Sequence, residues 1–248
     1  MNNLIENVTK NTLYVLQFAA VILALFLLAY VVEKLIQKKN GSTNRILATR
    51  KIAVIGMFSA IAAILMLFEF PLPFAPSFYE VDLSELPILI GSFAFGPVAG
   101  VMMEFIKILI KLLIKGTSTA FVGDLANFVI GCSLILPASI LYQVFKTKKG
   151  AIFSCILGCL CMTLFGTAFN AVYLLPAFSK LYGMPLDTIL AMGTEVNPLV
   201  KEANIISFVV FCVAPLNLIK SATVSVITLL VYKPLSPIIK TGHRISAQ

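Results

Sequence analysis

Long runs of apolar residues, separated by short polar or proline-rich stretches, set the pattern of this chain. The first run is Leu13 to Ile36, with Glu33 and Lys34 near its end. It is too long for a signal-peptide core and no small-residue cleavage site follows it, so it reads as a membrane helix that stays on the protein. Gln37 to Thr49 is polar and basic and reads as a linker. The second run, Ile52 to Phe68, would span roughly 26 Å as a helix, enough to cross bilayer hydrocarbon. Phe70-Pro-Leu-Pro-Phe-Ala-Pro76 then carries three prolines, which rule out regular helix. Fixed φ angles and the apolar surface of Phe70, Phe74 and Phe78 predict an ordered outer loop. Helix resumes near Ser84 with Pro87 in its first turn, breaks at Gly96-Pro97, and runs again from Val98 to Lys115. Residues 116–119, Gly-Thr-Ser-Thr, predict an outer turn. Phe121–Phe145 and Ala151–Leu175 are the next two runs, Pro176–Lys201 is a second long outer segment, and Ile205–Tyr232 is the last run. The pattern predicts seven spans, of which Ser84–Phe95 is too short to cross without tilt or local thinning.

Composition strengthens this reading. Hydrophobic residues make up 59% of the chain and charged residues 12%, and the mean hydropathy is +0.99. A soluble domain carries roughly 25% charged and about 45–50% apolar residues. Backbone amides in lipid must be satisfied within their own segment, so the apolar runs are expected to be helices. The length, 248 residues, suits one membrane domain and leaves no room for a soluble catalytic domain. The expected class is therefore an all-α integral membrane protein.

The formal net charge of +8 would raise nucleic acid as a partner for a soluble chain. Here its distribution speaks of topology instead. Lys34, Lys38, Lys39, Arg45, Arg50 and Lys51 form one basic cluster, Lys146, Lys148 and Lys149 a second, and Lys233, Lys240 and Arg244 a third. Basic loops stay in the cytoplasm. Glu80, Asp82, Glu85, Asp187, Glu195 and Glu202 fall in or beside the opposite loops. Cys132, Cys155, Cys159, Cys161 and Cys212 sit in apolar stretches without a C-x-x-C pair, which predicts buried free thiols and no zinc site. With no Trp, Tyr14, Tyr30, Tyr142 and Tyr232 near the span ends are the candidates for an aromatic belt.

Candidate chemistry is sparse. The one histidine, His243, lies in the basic tail, which removes Ser–His and Cys–His catalysis and an H-E-x-x-H zinc site, and there is no phosphate-binding G-x-x-x-x-G-K-[ST] loop. Gly123-Asp124 resembles half of an aspartyl intramembrane protease motif, but no second acid accompanies it, and a role at the helix start is the expectation. The costly residues say more. Lys220 lies inside the last run, three residues after Asn217 and hence on the same helix face, and Asn170 is stranded in the sixth run. Two amides and an ammonium suit a flat polar heterocycle bearing carbonyls. An interhelical hydrogen bond from Asn217 and a snorkelling Lys220 are the plainer alternative, and the residues alone leave both open. Lys107, Lys111 and Lys115 form a helical stripe expected to face water or the outer headgroups, with a pair between Lys107 and an acid of residues 80–85 as the other reading; Glu104 is placed to pair with Lys107 within the helix. Ala53, Gly56, Ala60 and Ala63 form a small-residue stripe that permits close helix approach.

Taken together, Phe-Tyr-Glu-Val-Asp-Leu-Ser-Glu-Leu-Pro at 78–87, Phe-Gly-Pro-Val-Ala-Gly at 95–100, Gly-Asp-Leu-Ala-Asn-Phe at 123–128 and Asn-Leu-Ile-Lys at 217–220 resemble the substrate-binding S component of energy-coupling-factor (ECF) vitamin transporters, and among these the riboflavin-specific one. The resemblance covers roughly residues 49–240. It implies a compact bundle of six helices at 49–248, preceded at 1–48 by one extra transmembrane helix and its basic linker, which places the N-terminus outside. It implies a bacterial plasma-membrane protein that binds riboflavin near the outer face as a transported ligand, with no cofactor, no metal and no bond chemistry. Its partners would be a transmembrane coupling subunit and two cytoplasmic ATPases. Asn170, Asn217 and Lys220 resemble the polar contacts to the flavin ring, Glu80 an outer-loop contact, and Ala53, Gly56, Ala60 and Ala63 the stripe that docks on the coupling subunit. The competing readings are an S component for another small vitamin and a stand-alone secondary transporter. The latter would want a carboxylate buried at mid-membrane, whereas the acids of this chain fall mostly at edges.

Overall fold

The computed structural model describes residues 12–39, 41, 49–201 and 204–240, with residue 50 and residues 233–240 described by backbone alone. Arg45, Glu202, His243, Arg244 and most of the linker lie outside them. The first run is helix α1 (Thr12–Lys39), and the second is α2 (Thr49–Met66). The proline-rich loop folds into a two-rung antiparallel hairpin, β1 (Phe70–Pro71) with β2 (Glu80–Val81). Then follow α3 (Glu85–Phe95), α4 (Pro97–Ile114), α5 (Val122–Val144) and α6 (Lys148–Phe169). A π turn at Asn170–Leu174 carries α6 into α7 (Leu175–Tyr182). After α8 (Leu186–Val196) and α9 (Ile205–Phe208), a second π turn at Val209–Val213 leads into α10 (Ala214–Lys240). The all-α membrane class holds. Four helical runs, 12–39, 122–144, 148–182 and 205–232, are long and apolar enough to cross a membrane, and α2 and α3 are shorter apolar helices.

The α3–α4 break falls where Gly96 adopts φ +101°, a conformation open to glycine, and Pro97 opens α4 where its missing N–H costs nothing. The bundle packs α5 on α6, α6 on α10, α2 on α4 and α1 on α4. One end gathers the starts of α2 and α4 and the meeting of α5 with α6: Lys51 donates to the Phe95 carbonyl at 3.4 Å and Gln143 to that of Phe93 at 3.0 Å. This is the end that the basic clusters assign to the cytoplasm. The hairpin, the α4–α5 loop and α8 cover the opposite end.

Two expectations need correction. The sequence pattern ends the sixth run at Leu175 and starts an outer segment at Pro176, yet the helix runs on to Tyr182. Pro176 lacks an N–H and crowds the carbonyl four residues back, and the backbone accommodates it by widening into the π turn, in which the Leu175 N–H reaches the Asn170 carbonyl. The second π turn likewise precedes a proline, Pro215, and the buried Asn197 amide donates at 2.9 Å to the Phe211 carbonyl that Pro215 cannot reach. Second, Tyr142 and Tyr232 are not belt residues: both are buried around Phe93, Tyr142 stacked on it at 4.4 Å and Tyr232 edge-on to both rings at 5.5 Å. Among the cysteines, Cys132, Cys155 and Cys212 are buried as expected, Cys159 and Cys161 are half-buried, and all five are free.

Candidate ligand-binding site

Most of the charged residues buried in the bundle meet at one place toward its hairpin end. Lys220 of α10 is 6% exposed and its ammonium lies 2.9 Å from Asp82 and 3.0 Å from Glu85. Asp82 also accepts from the Ser84 N–H at 2.7 Å, which ties the end of the hairpin to the start of α3. Glu85 bridges to a second lysine, Lys107, at 3.2 Å. Lys107 is 0% exposed and further engages Glu104 at 2.7 Å, the Ser84 hydroxyl at 3.1 Å and Asn127 at 3.3 Å. The expectation that the lysine stripe faces water therefore fails at its first member, and the pair with an acid of residues 80–85 is what forms. An ammonium is tolerated in an apolar interior when carboxylates are there to meet it. Further along α4, Lys111 pairs with Asp124 at 2.6 Å, and Lys115, half-exposed, with Glu69 at 2.6 Å. Asp82 and Glu85, read from sequence as edge residues, are interior, and so is Glu104.

Beside this cluster lies a cavity of about 400 Å³, bounded by the hairpin, the α4–α5 loop, α5, the first π turn and α10. Asn170, Asn217, Lys220 and Glu80 all line it, so residues far apart in sequence meet at one cavity. They are not equivalent. Asn170 is satisfied within the protein: it accepts from the Tyr79 hydroxyl at 2.6 Å and donates to the Gly166 carbonyl at 2.7 Å. The Asn217 amide nitrogen is buried and has no hydrogen-bond partner among the described residues. Gly166 lets α10 come this near, since a Cβ there would lie 2.7 Å from that nitrogen. Glu80 is exposed at the mouth, where partial burial and the neighbouring Glu69 push its carboxyl above the ordinary value.

Sequence reading missed Tyr79, Lys111, Asn127 and Phe178, which also line the cavity. Nothing in the spacing of Tyr79 or Phe178 distinguishes them from core aromatics. The two Leu-Pro and Ala-Pro steps, 175–176 and 214–215, were an available signal, because each follows a π turn whose residues border the cavity. The α4–α5 loop is ordered by its own hydroxyls: Thr117 accepts from the Phe121 N–H and Thr119 from the Gly123 N–H, both at 3.0 Å. The small-residue stripe divides. Ala53, Gly56 and Ala60 are exposed, with nothing within 4 Å of a Cβ built on Gly56, whereas Ala63 is 1% exposed and faces the bundle interior.

The sequence pattern described as "ECF transporter, substrate-specific component" matches residues 50–232. The chain is 32% identical over 189 residues to riboflavin transporter FmnP of Bacillus subtilis, covering 76% of this chain and 93% of that protein. It is 32% identical over 204 residues to riboflavin transporter RibU of Staphylococcus aureus, covering 82% and 97%. A solved structure described as the S component of a bacterial ECF transporter superposes with a TM-score of 0.59 at 31% identity, over 77% of this chain and 97% of that one.

Proposed function

Given that this chain belongs to the substrate-specific components of ECF transporters, we propose that it is the riboflavin-binding subunit of a vitamin importer. The observation that carries the reading is the cavity of about 400 Å³ with the amide nitrogen of Asn217, which has no partner among the described residues, in its wall. A buried donor without a partner is costly, and a ligand carbonyl would satisfy it. Lys220 beside it offers further N–H donors, Asn170 offers an amide already held in place by Tyr79, and Tyr79 and Phe178 offer aromatic surface for a flat ring. The charged mouth formed by Glu69, Glu80 and Lys115 suits a polyhydroxyl tail. Riboflavin has this division, a flat heterocycle bearing a polyol.

The chain does no bond chemistry in this reading. It takes the vitamin at the outer face of a bacterial plasma membrane and releases it inside, driven by ATP hydrolysis in two cytoplasmic ATPase subunits through a transmembrane coupling subunit. The open face of α2 at Ala53, Gly56 and Ala60 is where that subunit docks, because small side chains let helices approach closely. The buried acids do not favour a secondary transporter, since Glu85 and Glu104 are held by Lys107 rather than free to carry a coupling ion. Titrating the purified protein with riboflavin and following quenching of flavin fluorescence tests the proposal. Saturable quenching at one site per chain is expected, and its absence, or equal competition by unrelated vitamins, would overturn it.

A further inference from the structure

The family match begins at residue 50, so α1 lies outside it. Yet α1 is fastened to the bundle at points from Gln17 to Glu33. Phe18 meets Phe128 edge-on at 5.9 Å and, midway along the helix, Phe26 meets Phe105 at 6.1 Å. Toward the outer end, Gln17 accepts from the Tyr173 hydroxyl at 3.0 Å, in the π turn that begins at Asn170. Toward the inner end, Glu33 is 5% exposed and its carboxylate accepts from the Val98 N–H at 3.0 Å.

That last contact meets a need of α4. A helix start leaves N–H groups without partners and carries partial positive charge. The capping acceptor usually comes from the side chain of the residue that begins the helix. Here that residue is Gly96, which has no side chain, and Pro97 has no N–H, so Val98 presents the first donor. The cap arrives instead from 65 residues upstream. Gly96 is also the only kind of residue that fits beneath it: a Cβ would lie 2.8 Å from the Glu33 carboxylate, and φ is +101°. On the other side of the same joint, Lys51 of α2 donates to the Phe95 carbonyl at 3.4 Å, at the negative end of α3, and its charge attracts Glu33. An anion thus sits on the positive end of α4 and a cation on the negative end of α3.

We propose that α1 is an intramolecular brace, and that Glu33 is a positioning residue which, with Lys51, holds the α3–α4 joint rigid at the inner end of the docking helix α2. Its role belongs to delivery of the ligand rather than to holding it, because no residue of this joint lines the cavity. The transport arm of the test rests on the proposed function, whereas the exchange arm does not.

Hydrogen exchange of the full chain in detergent, read on peptides covering 97–101, is compared with riboflavin affinity and cellular uptake. Glu33→Ala is expected to speed exchange about tenfold, the scale of a lost helix cap. Uptake should fall while the riboflavin Kd stays within about twofold, well under the tenfold that 1.4 kcal/mol represents. Glu33→Gln keeps an oxygen acceptor but loses the charge, and should speed exchange about threefold. It decides the matter if the alanine variant does not fold. Unchanged exchange or uptake in the variant that folds would overturn the proposal, as would a Kd that rises in step with exchange. Failure of the unmodified chain to bind riboflavin would instead sink the proposed function and leave the exchange result to judge the brace.

Discussion

Lys107 shows how a charge survives in an apolar bundle. Alone it would cost several kcal/mol, but Glu104 lies one turn earlier on the same helix and Glu85 faces it from α3. Glu85 in turn meets Lys220, so one carboxylate ties two lysines of different helices together. Removing one member of such a group leaves the others buried and uncompensated. Lys107→Met is therefore expected to destabilise the protein by about 3–5 kcal/mol. Lys115→Met, at an ion pair 53% exposed on the lysine side, should cost under about 1 kcal/mol. Unfolding midpoints in detergent would rank the two, and equal losses would mean that the Lys107 group is not the anchor its burial suggests. At the cavity wall, Asn217→Ala removes the buried donor proposed to meet the ligand, with an expected loss of about 1–3 kcal/mol or roughly 5- to 150-fold in affinity. Lys220→Ala should weaken binding by at least about tenfold as well, with an added stability loss because Asp82 and Glu85 lose their cation. Fluorescence titration beside thermal unfolding separates the effects; unchanged affinity in both variants would move the site away from α10.

At the scale of elements, α2 has two faces. Ile55, Phe58, Ala62 and Ala63 face the core, whereas Ala53, Gly56 and Ala60 look outward. The open space around Gly56 means that a larger side chain disturbs nothing inside this chain. Gly56→Leu is accordingly expected to leave folding and riboflavin affinity intact and to impair uptake by cells that supply the coupling partners. Normal uptake by that variant would remove α2 as the docking surface. Ala63→Leu would be a poor probe of docking, since it would overpack the core by its own action. The π turns work at the same scale: each lets a helix carry a proline and continue, and each sets residues at the cavity edge that a straight helix would rotate elsewhere.

For the whole molecule, the cavity and the basic clusters stand at opposite ends. The hairpin and the α4–α5 loop close the cavity end, and the joint of Glu33, Gly96 and Lys51 lies at the other. Positive loops resist translocation, so the second end is expected to be cytoplasmic. A cysteine placed at Ser77, exposed in the hairpin loop, should react with an impermeant reagent added outside intact cells, and one at Lys146, exposed between α5 and α6, should not. The reverse pattern would put the cavity on the cytoplasmic side and end the import reading.

Membrane class, most helix boundaries and the proline-rich loop, though not its strand pairing, were legible along the chain, because each rests on local physics: apolar length against bilayer thickness, proline against helix, glycine at a break. The break at Gly96-Pro97 and the start near Ser84 fall where the pattern put them. The nearness of Asn217 to Lys220 was legible for the same reason, since helical spacing is local. The family was legible too, as short motifs in 78–100 and 217–220. The fate of each polar side chain was not. Whether Lys107 meets water or Glu85, whether Tyr142 lies at the headgroups or against Phe93, and whether Ala63 looks outward depend on how α2–α5 are rotated against one another. So does the difference between Asn170, which Tyr79 and Gly166 satisfy, and Asn217, whose amide nitrogen has no described partner. A sequence fixes which groups need partners through their charge and hydrogen-bonding capacity; only the packed bundle decides which partner lies within 3 Å, because that distance depends on the packing of several helices at once.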